Sequence, residues 1–142
     1  MSESNDRPGT VRDRLLRWLP AVLWMGLIFT LSSFSYSGFV ARVFRHQDKL
    51  FHLVEFGILG VLFARAMRWT GAGSRGRYWS ALALVALFGA LDEFHQSFVP
   101  HRLPDWTDFA ADCLGALIFI QVWAAVHGES LFRTPARGAE SD

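Results

Sequence analysis

A chain of 142 residues has room for one domain and not for two ordinary ones. Its composition, 51% hydrophobic and 15% aromatic against 19% charged, excludes a disordered chain and is lean in charge for a water-soluble domain. A net charge of +1 with dispersed Lys and Arg supplies no basic field, so nucleic acid is not an expected partner; the lone cysteine, Cys113, excludes an internal disulfide or a thiolate zinc site.

Residues 1–17 are polar, with Arg7, Arg12, Arg14 and Arg17, and are expected to be solvated and weakly ordered. From Trp18 to Phe34 no residue is charged, close to the shortest apolar helix that crosses a bilayer core. A secretory signal is the rival reading, since arginines precede the run and Ser33-Phe34-Ser35 offers a small-x-small site. The run is longer and more aromatic than an ordinary signal core, which favours a first span over 18–34.

A second span is expected over 50–67, apolar apart from His52 and Glu55 near its start and Arg65 near its end. The Gly- and Arg-rich stretch after it reads as a flexible turn. The third span, 79–99, is charge-free from Trp79 to Leu91 and then polar through Asp92, Glu93, His95 and Gln96, with Pro100 and Pro104 to end it. The fourth, 109–126, is apolar except for Asp112 and Gln121, and 127–142 forms a polar tail. Mean hydropathy is only +0.22, which keeps a soluble four-helix bundle in play. The charge-free stretches are apolar on every side, however, and suit lipid better than a helix with one face in water.

The expected fold is therefore an all-α, integral membrane four-helix bundle. The N-terminal segment, second loop and tail hold ten of the fourteen Lys and Arg residues, predicting both termini in the cytoplasm and the first and third loops outside. In that up-and-down arrangement the polar residues of the spans gather at one end, the outer one. Asp48, Lys49, His52 and Glu55 open span two, Asp92, Glu93, His95 and Gln96 close span three, and His101, Arg102, Asp105, Asp108 and Asp112 lead into span four.

Helical spacing orders this set. Asp48, His52 and Glu55 fall at i, i+4 and i+7; Glu93 and Gln96 at i, i+3; Asp105, Asp108 and Asp112 at i, i+3 and i+7, if the helix begins by Pro104. Charges facing lipid cost about 2.5–3.5 kcal/mol each at the bilayer centre, so the stripes are expected to face the bundle interior. Blander roles compete: Lys49 and Arg102 as cations reaching lipid headgroups, Asp105 and Asp108 as first-turn acids. His46, His95 and His101 are weak candidates. Gly57, Gly60, Gly89 and Gly115 read as helix-packing points, and Phe51, Phe56, Trp79, Trp106 and Trp123 as interface or lipid-facing aromatics.

Two segments, DKLFHLVEF at 48–56 and DEFHQSFVPHRLPDWTDFAADCLGA at 92–116, resemble the VanZ-like family of small bacterial membrane proteins. The shared pattern falls on Asp48, Lys49 and His52, on Glu93 and Gln96, on Arg102, and on Asp108, Asp112 and Gly115; Ser32-Ser33 also looks like the family. Asp112 departs from it, standing where the family more often has Asn. The resemblance covers about residues 18–126 and implies a bacterial plasma-membrane, cell-envelope protein connected with resistance to teicoplanin, a lipidated glycopeptide.

Two functional readings stand side by side. In one, an enzyme modifies a lipid-linked or lipidated envelope molecule, with His52 or Glu93 as base and Lys49 and Arg102 as an anion clamp. Asp48, Glu55, Gln96, Asp108 and Asp112 would bind the substrate, and His52, Glu55, Asp108 and Asp112 are the candidates for holding a divalent cation. In the other, the same cluster binds an amphiphile without turnover or is a structural network. A transporter is disfavoured by the absence of an inverted repeat or broken helix. The sequence leaves open whether catalysis occurs and what the oligomeric state is.

Overall fold

The computed structural model describes residues 10–34, 47–69, 73–100, 102 and 104–132. Four helices follow in order: α1 (Val11–Ser32), α2 (Gln47–Ala66) with a 3-10 turn at Met67–Trp69, α3 (Ser74–Gln96) and α4 (Trp106–Val126). No strand occurs among the described residues.

Helices α1 and α4 start before their apolar runs, each with a polar side-chain cap. Thr10 and Asp13 form a reciprocal capping box on α1, so residues 11–17 are helical, contrary to the weak order expected of them. Helix α1 then continues through Pro20, which removes one backbone donor without ending it. Helix α3 begins at Ser74 after Gly73 and ends at Gln96, three residues short of the expected Val99, with Ser97 closing the last turn ahead of Pro100. Asp105 accepts from the Thr107 N–H at 2.9 Å and caps α4, which therefore starts at Trp106 and leaves Asp105 outside the helical stripe expected of it. The first loop, including Arg42, Arg45 and His46, and His101 of the third loop lie outside the described residues.

Helix α2 is the hub, packing on α1, α3 and α4, whereas α1 and α4 do not meet among the described residues. The Trp18 ring lies 6.0 Å from Phe63 and Trp24 Nε1 donates to the Glu55 carbonyl at 2.9 Å, which sets α1 antiparallel to α2. Helices α2 and α4 run parallel in the closest approach of the molecule, made by glycines as expected. A Cβ on Gly115 would fall 2.0 Å from the Leu53 carbonyl oxygen, and one on Gly57 would strike the Phe119 ring at 2.7 Å. Phe56, expected at an interface or against lipid, is instead fully buried beside Leu59, Tyr78 and Ile120. Trp79 and Trp106 are exposed, as expected of them.

Beyond α4 the chain turns at Gly128 (φ 69°), with the Glu129 N–H donating to the Ala124 carbonyl at 2.8 Å and the Gly128 N–H to that of Ala125 at 3.0 Å. This turn returns Glu129 to the start of α3, where it pairs with Arg77 and accepts from Tyr78, and it buries Leu131 completely. The first residues of the tail are thus packed rather than loosely solvated. Large side chains remain exposed on every helix, among them Leu23 (65%), Val54 (38%), Leu87 (59%) and Val122 (59%). Of the four, α1 and α4 are long and apolar enough to cross a membrane by length and composition.

Candidate functional site

The up-down-up-down order brings the start of α2 and the end of α3 to the start of α4, joining polar groups far apart in sequence. Lys49 Nζ donates to Asp105 Oδ2 at 2.9 Å and to Asp108 Oδ1 at 2.7 Å. One turn deeper, His52 Nδ1 lies 2.9 Å from Asp112 Oδ1, and His52 Nε2 lies 4.0 Å from Asp108 Oδ2. From the third side Glu93 Oε2 accepts the Asp105 backbone N–H at 2.9 Å. His52, Glu93, Asp108 and Asp112 are all buried, Asp112 completely.

A second layer joins α1. Asp92 Oδ2 accepts from the Ser32 hydroxyl and from Gln96 Nε2, each at 2.8 Å, and Arg102 Nη1 donates to the Ser32 carbonyl at 3.2 Å. Next to it, the Ser33 hydroxyl lies 3.0 Å from His95 Nε2, and the His95 ring stacks on Phe29.

Of the residues expected to act, Lys49, His52, Glu93, Asp108 and Asp112 lie together, and Gln96 bonds Asp92 in the second layer. Arg102 is half-buried and joins through Ser32. Glu55 is half-buried on α2, within electrostatic reach of His52, Asp92 and Asp112. Asp48 does not belong: it is exposed in the first turn of α2. Its i, i+4 spacing to His52 is real, but at a helix end residues one turn apart along the axis stand at different depths. Three contributors were undervalued. Asp105, weighed as a helix-dipole acid, is the cap and also pairs with Lys49; Asp92 and Ser32 are buried and bonded to each other across 60 positions. Only the placing of Asp92 at the polar end of span three and the Ser32-Ser33 pair hinted at these roles.

The electrostatics at the rim are plain. The Lys49 ammonium, with the Thr107 hydroxyl and N–H, holds the Asp105 carboxyl well below the usual carboxylate range. Deeper in, Asp92 Oδ1, Glu93 Oε1 and Asp112 Oδ2 are buried and find no hydrogen-bond partner among the described residues. The metal candidates also regroup. His52, Glu93 and Asp112 offer ligand atoms all within 4.8 Å of one another, with Glu93 in place of the expected Glu55 and Asp108. Asp108 is engaged by Lys49 instead. Cys113 is half-buried and free.

Fold and site together define a small all-α protein with a polar site sunk into one end of an apolar helix assembly. Over residues 17–127 the sequence matches the family model described as VanZ/LLP1, and the chain belongs to that family. No curated protein and no solved structure matches it significantly. Two bilayer-length apolar helices and the family together point to a membrane protein of the VanZ-like envelope class.

Proposed function

We propose that all four helices span the bacterial plasma membrane, both termini in the cytoplasm, and that the polar site opens on the external face to take the headgroup of a lipid-linked or lipidated envelope molecule. The observation that carries this reading is the site itself. His52, Glu93, Asp108 and Asp112 are buried together at the end of an otherwise apolar assembly, beside Lys49 and Arg102. Ionisable groups at membrane depth are rare and mark function more often than packing. The exposed Leu, Phe and Val side chains on α2 and α3 support four spans rather than two, because an aqueous surface would not carry them on every helix. The charge bias of the loops supports the orientation.

In this reading Lys49 and Arg102 attract the anionic part of a headgroup, and His52 or Glu93 takes or delivers a proton on the bound molecule. The bond acted on, if any, sets the reaction class, and a part in teicoplanin resistance follows as the physiological reading. A second reading has its own observation. Lys49 pairs with Asp105 and Asp108, and His52 with one oxygen of Asp112, as in a network that only fixes the bundle.

The deciding experiment has two parts. In a Cys113→Ser background, a single cysteine at Pro104 or at Arg75, both exposed, is labelled in intact cells with a membrane-impermeant maleimide. Labelling at 104 and not at 75 is expected; the reverse refutes the external site. Purified protein is then mixed with envelope lipid extract. Headgroup turnover lost in Glu93→Gln at unchanged abundance supports an enzyme, stoichiometric retention without turnover supports a binding protein, and neither refutes the proposal in favour of the structural network.

A further inference from the structure

The inner half of the site holds more negative charge than its visible partners answer. Among the described residues, Asp108 is matched by Lys49, but Glu93 and Asp112 receive only a backbone N–H and an imidazole, and each keeps one buried oxygen that accepts nothing. A buried carboxylate oxygen without a partner is costly, so a native site of this kind is completed by a proton or by a cation. The donor set argues for the cation. Helix α2 supplies a nitrogen and α3 and α4 an oxygen each, and the three ligand atoms lie within 4.8 Å of one another. Divalent ions with bonds of about 2.0–2.2 Å bring opposite ligands roughly 4 Å apart, so small side-chain shifts close the group around one ion.

The α3 backbone also comes close to the orphaned oxygen. Gly89 on α3 faces Asp112, and a Cβ there would fall 2.9 Å from Asp112 Oδ2, the orphaned oxygen. Glu93 follows one helical turn later on the same face of α3. Above this group, at the end of the assembly, the Asp105 and Lys49 side chains are 43% and 28% exposed.

We infer that His52, Glu93 and Asp112 form a binding site for one divalent transition-metal cation. One imidazole with two carboxylates suits Mn²⁺ or Zn²⁺ better than Ca²⁺, which takes six or more oxygens, or Cu⁺, which takes sulfur. A three-ligand set leaves coordination positions for a headgroup oxygen or water. The inference rests on the proposed headgroup site only for what would fill those positions; the ion is bound by this chain's own side chains.

The test uses full-length protein in a phosphate-free maltoside detergent, in the Cys113→Ser background so that the thiol takes no metal. Mn²⁺ alone is titrated and followed by electron paramagnetic resonance, with Zn²⁺ counted by elemental analysis after dialysis. One ion per chain is expected, weakened at least tenfold in both Glu93→Gln and Asp112→Asn. The wild-type thermal midpoint should rise with Mn²⁺ and fall on chelation, a readout that does not depend on how the variants fold. Binding no stronger in wild type than in Asp112→Asn overturns the inference, as does a midpoint indifferent to metal and chelator; a proton shared by Glu93 and Asp112 would give that result. No lipid enters this measurement. A protein that retains headgroups but no ion disproves the ion alone, and one that binds the ion but no headgroup disproves the proposed function alone.

Discussion

Replacing Gly115 by alanine should loosen the fold and the site together. A Cβ on Gly115 would lie 2.0 Å from the Leu53 oxygen and 2.8 Å from its carbonyl carbon, whereas real Cβ atoms essentially never come within 3.0 Å. Both atoms belong to the Leu53 backbone, so no rotamer change relieves the clash; α2 and α4 must part by about 1 Å at this level, with an overpacking cost of about 1–3 kcal/mol. Leu53 adjoins His52, and Asp112 lies one turn before Gly115. The same displacement therefore stretches the 2.9 Å His52–Asp112 contact toward the limit of a hydrogen bond. Gly26 is the matched control: nothing lies within 4 Å of its added Cβ, so Gly26→Ala should be neutral or stabilise by up to about 1 kcal/mol through helix propensity. Unfolding is followed by circular dichroism in mixed micelles over a denaturant series, and the His52 ring environment by nitrogen NMR of labelled histidine. Equal stability of Gly115→Ala and Gly26→Ala, with an unmoved His52 signal, would refute the argument.

Two further outcomes follow from the ends of the bundle. Asp105→Asn keeps a good helix cap but gives up the charge opposite Lys49, a half-exposed pair worth about 0.2–1 kcal/mol. Because the folded carboxyl titrates below its unfolded counterpart, that difference should be present above about pH 4 and shrink as the pH falls further, with wild type and variant converging in acid; a difference independent of pH would count against the pair. At the opposite end burial raises the Glu129 carboxyl, but the Tyr78 hydroxyl and the Arg77 guanidinium outweigh it and hold it below the usual range. Glu129→Gln should cost about 1–3 kcal/mol, since buried Arg77 loses its counter-charge, and should release the segment around Leu131 to proteolysis; unchanged protection there would show that Leu131 holds the tail without the pair.

Four helices, their order and the end at which the chemistry gathers were legible in the sequence, because apolar runs of bilayer length and polar residues at their borders are local properties of the chain. Helical spacing and alternating helix directions were enough to expect His52, Glu93 and Asp112 at one end of the bundle. What the spacing could not reach was depth and partner choice. Asp48 and His52 sit one turn apart, yet one is exposed and the other buried, because α2 emerges from its neighbours between them. Asp105 belongs to the rim and not to a helical stripe because its side chain caps α4.

The sequence by itself determined that the chain is a helical protein of the VanZ-like kind with an ionisable cluster at one end of its apolar segments, since composition, run length and motif spacing suffice for that. Only the tertiary structure decided that the non-consecutive, parallel pair α2 and α4 makes the closest contact, through Gly57, Gly60 and Gly115, and that Glu93 rather than Glu55 completes the group around His52 and Asp112. The physical reason is that close packing is a property of two surfaces at once. A glycine marks where a helix can be approached, and its sequence is silent on which helix does so until the side chains of both are in place.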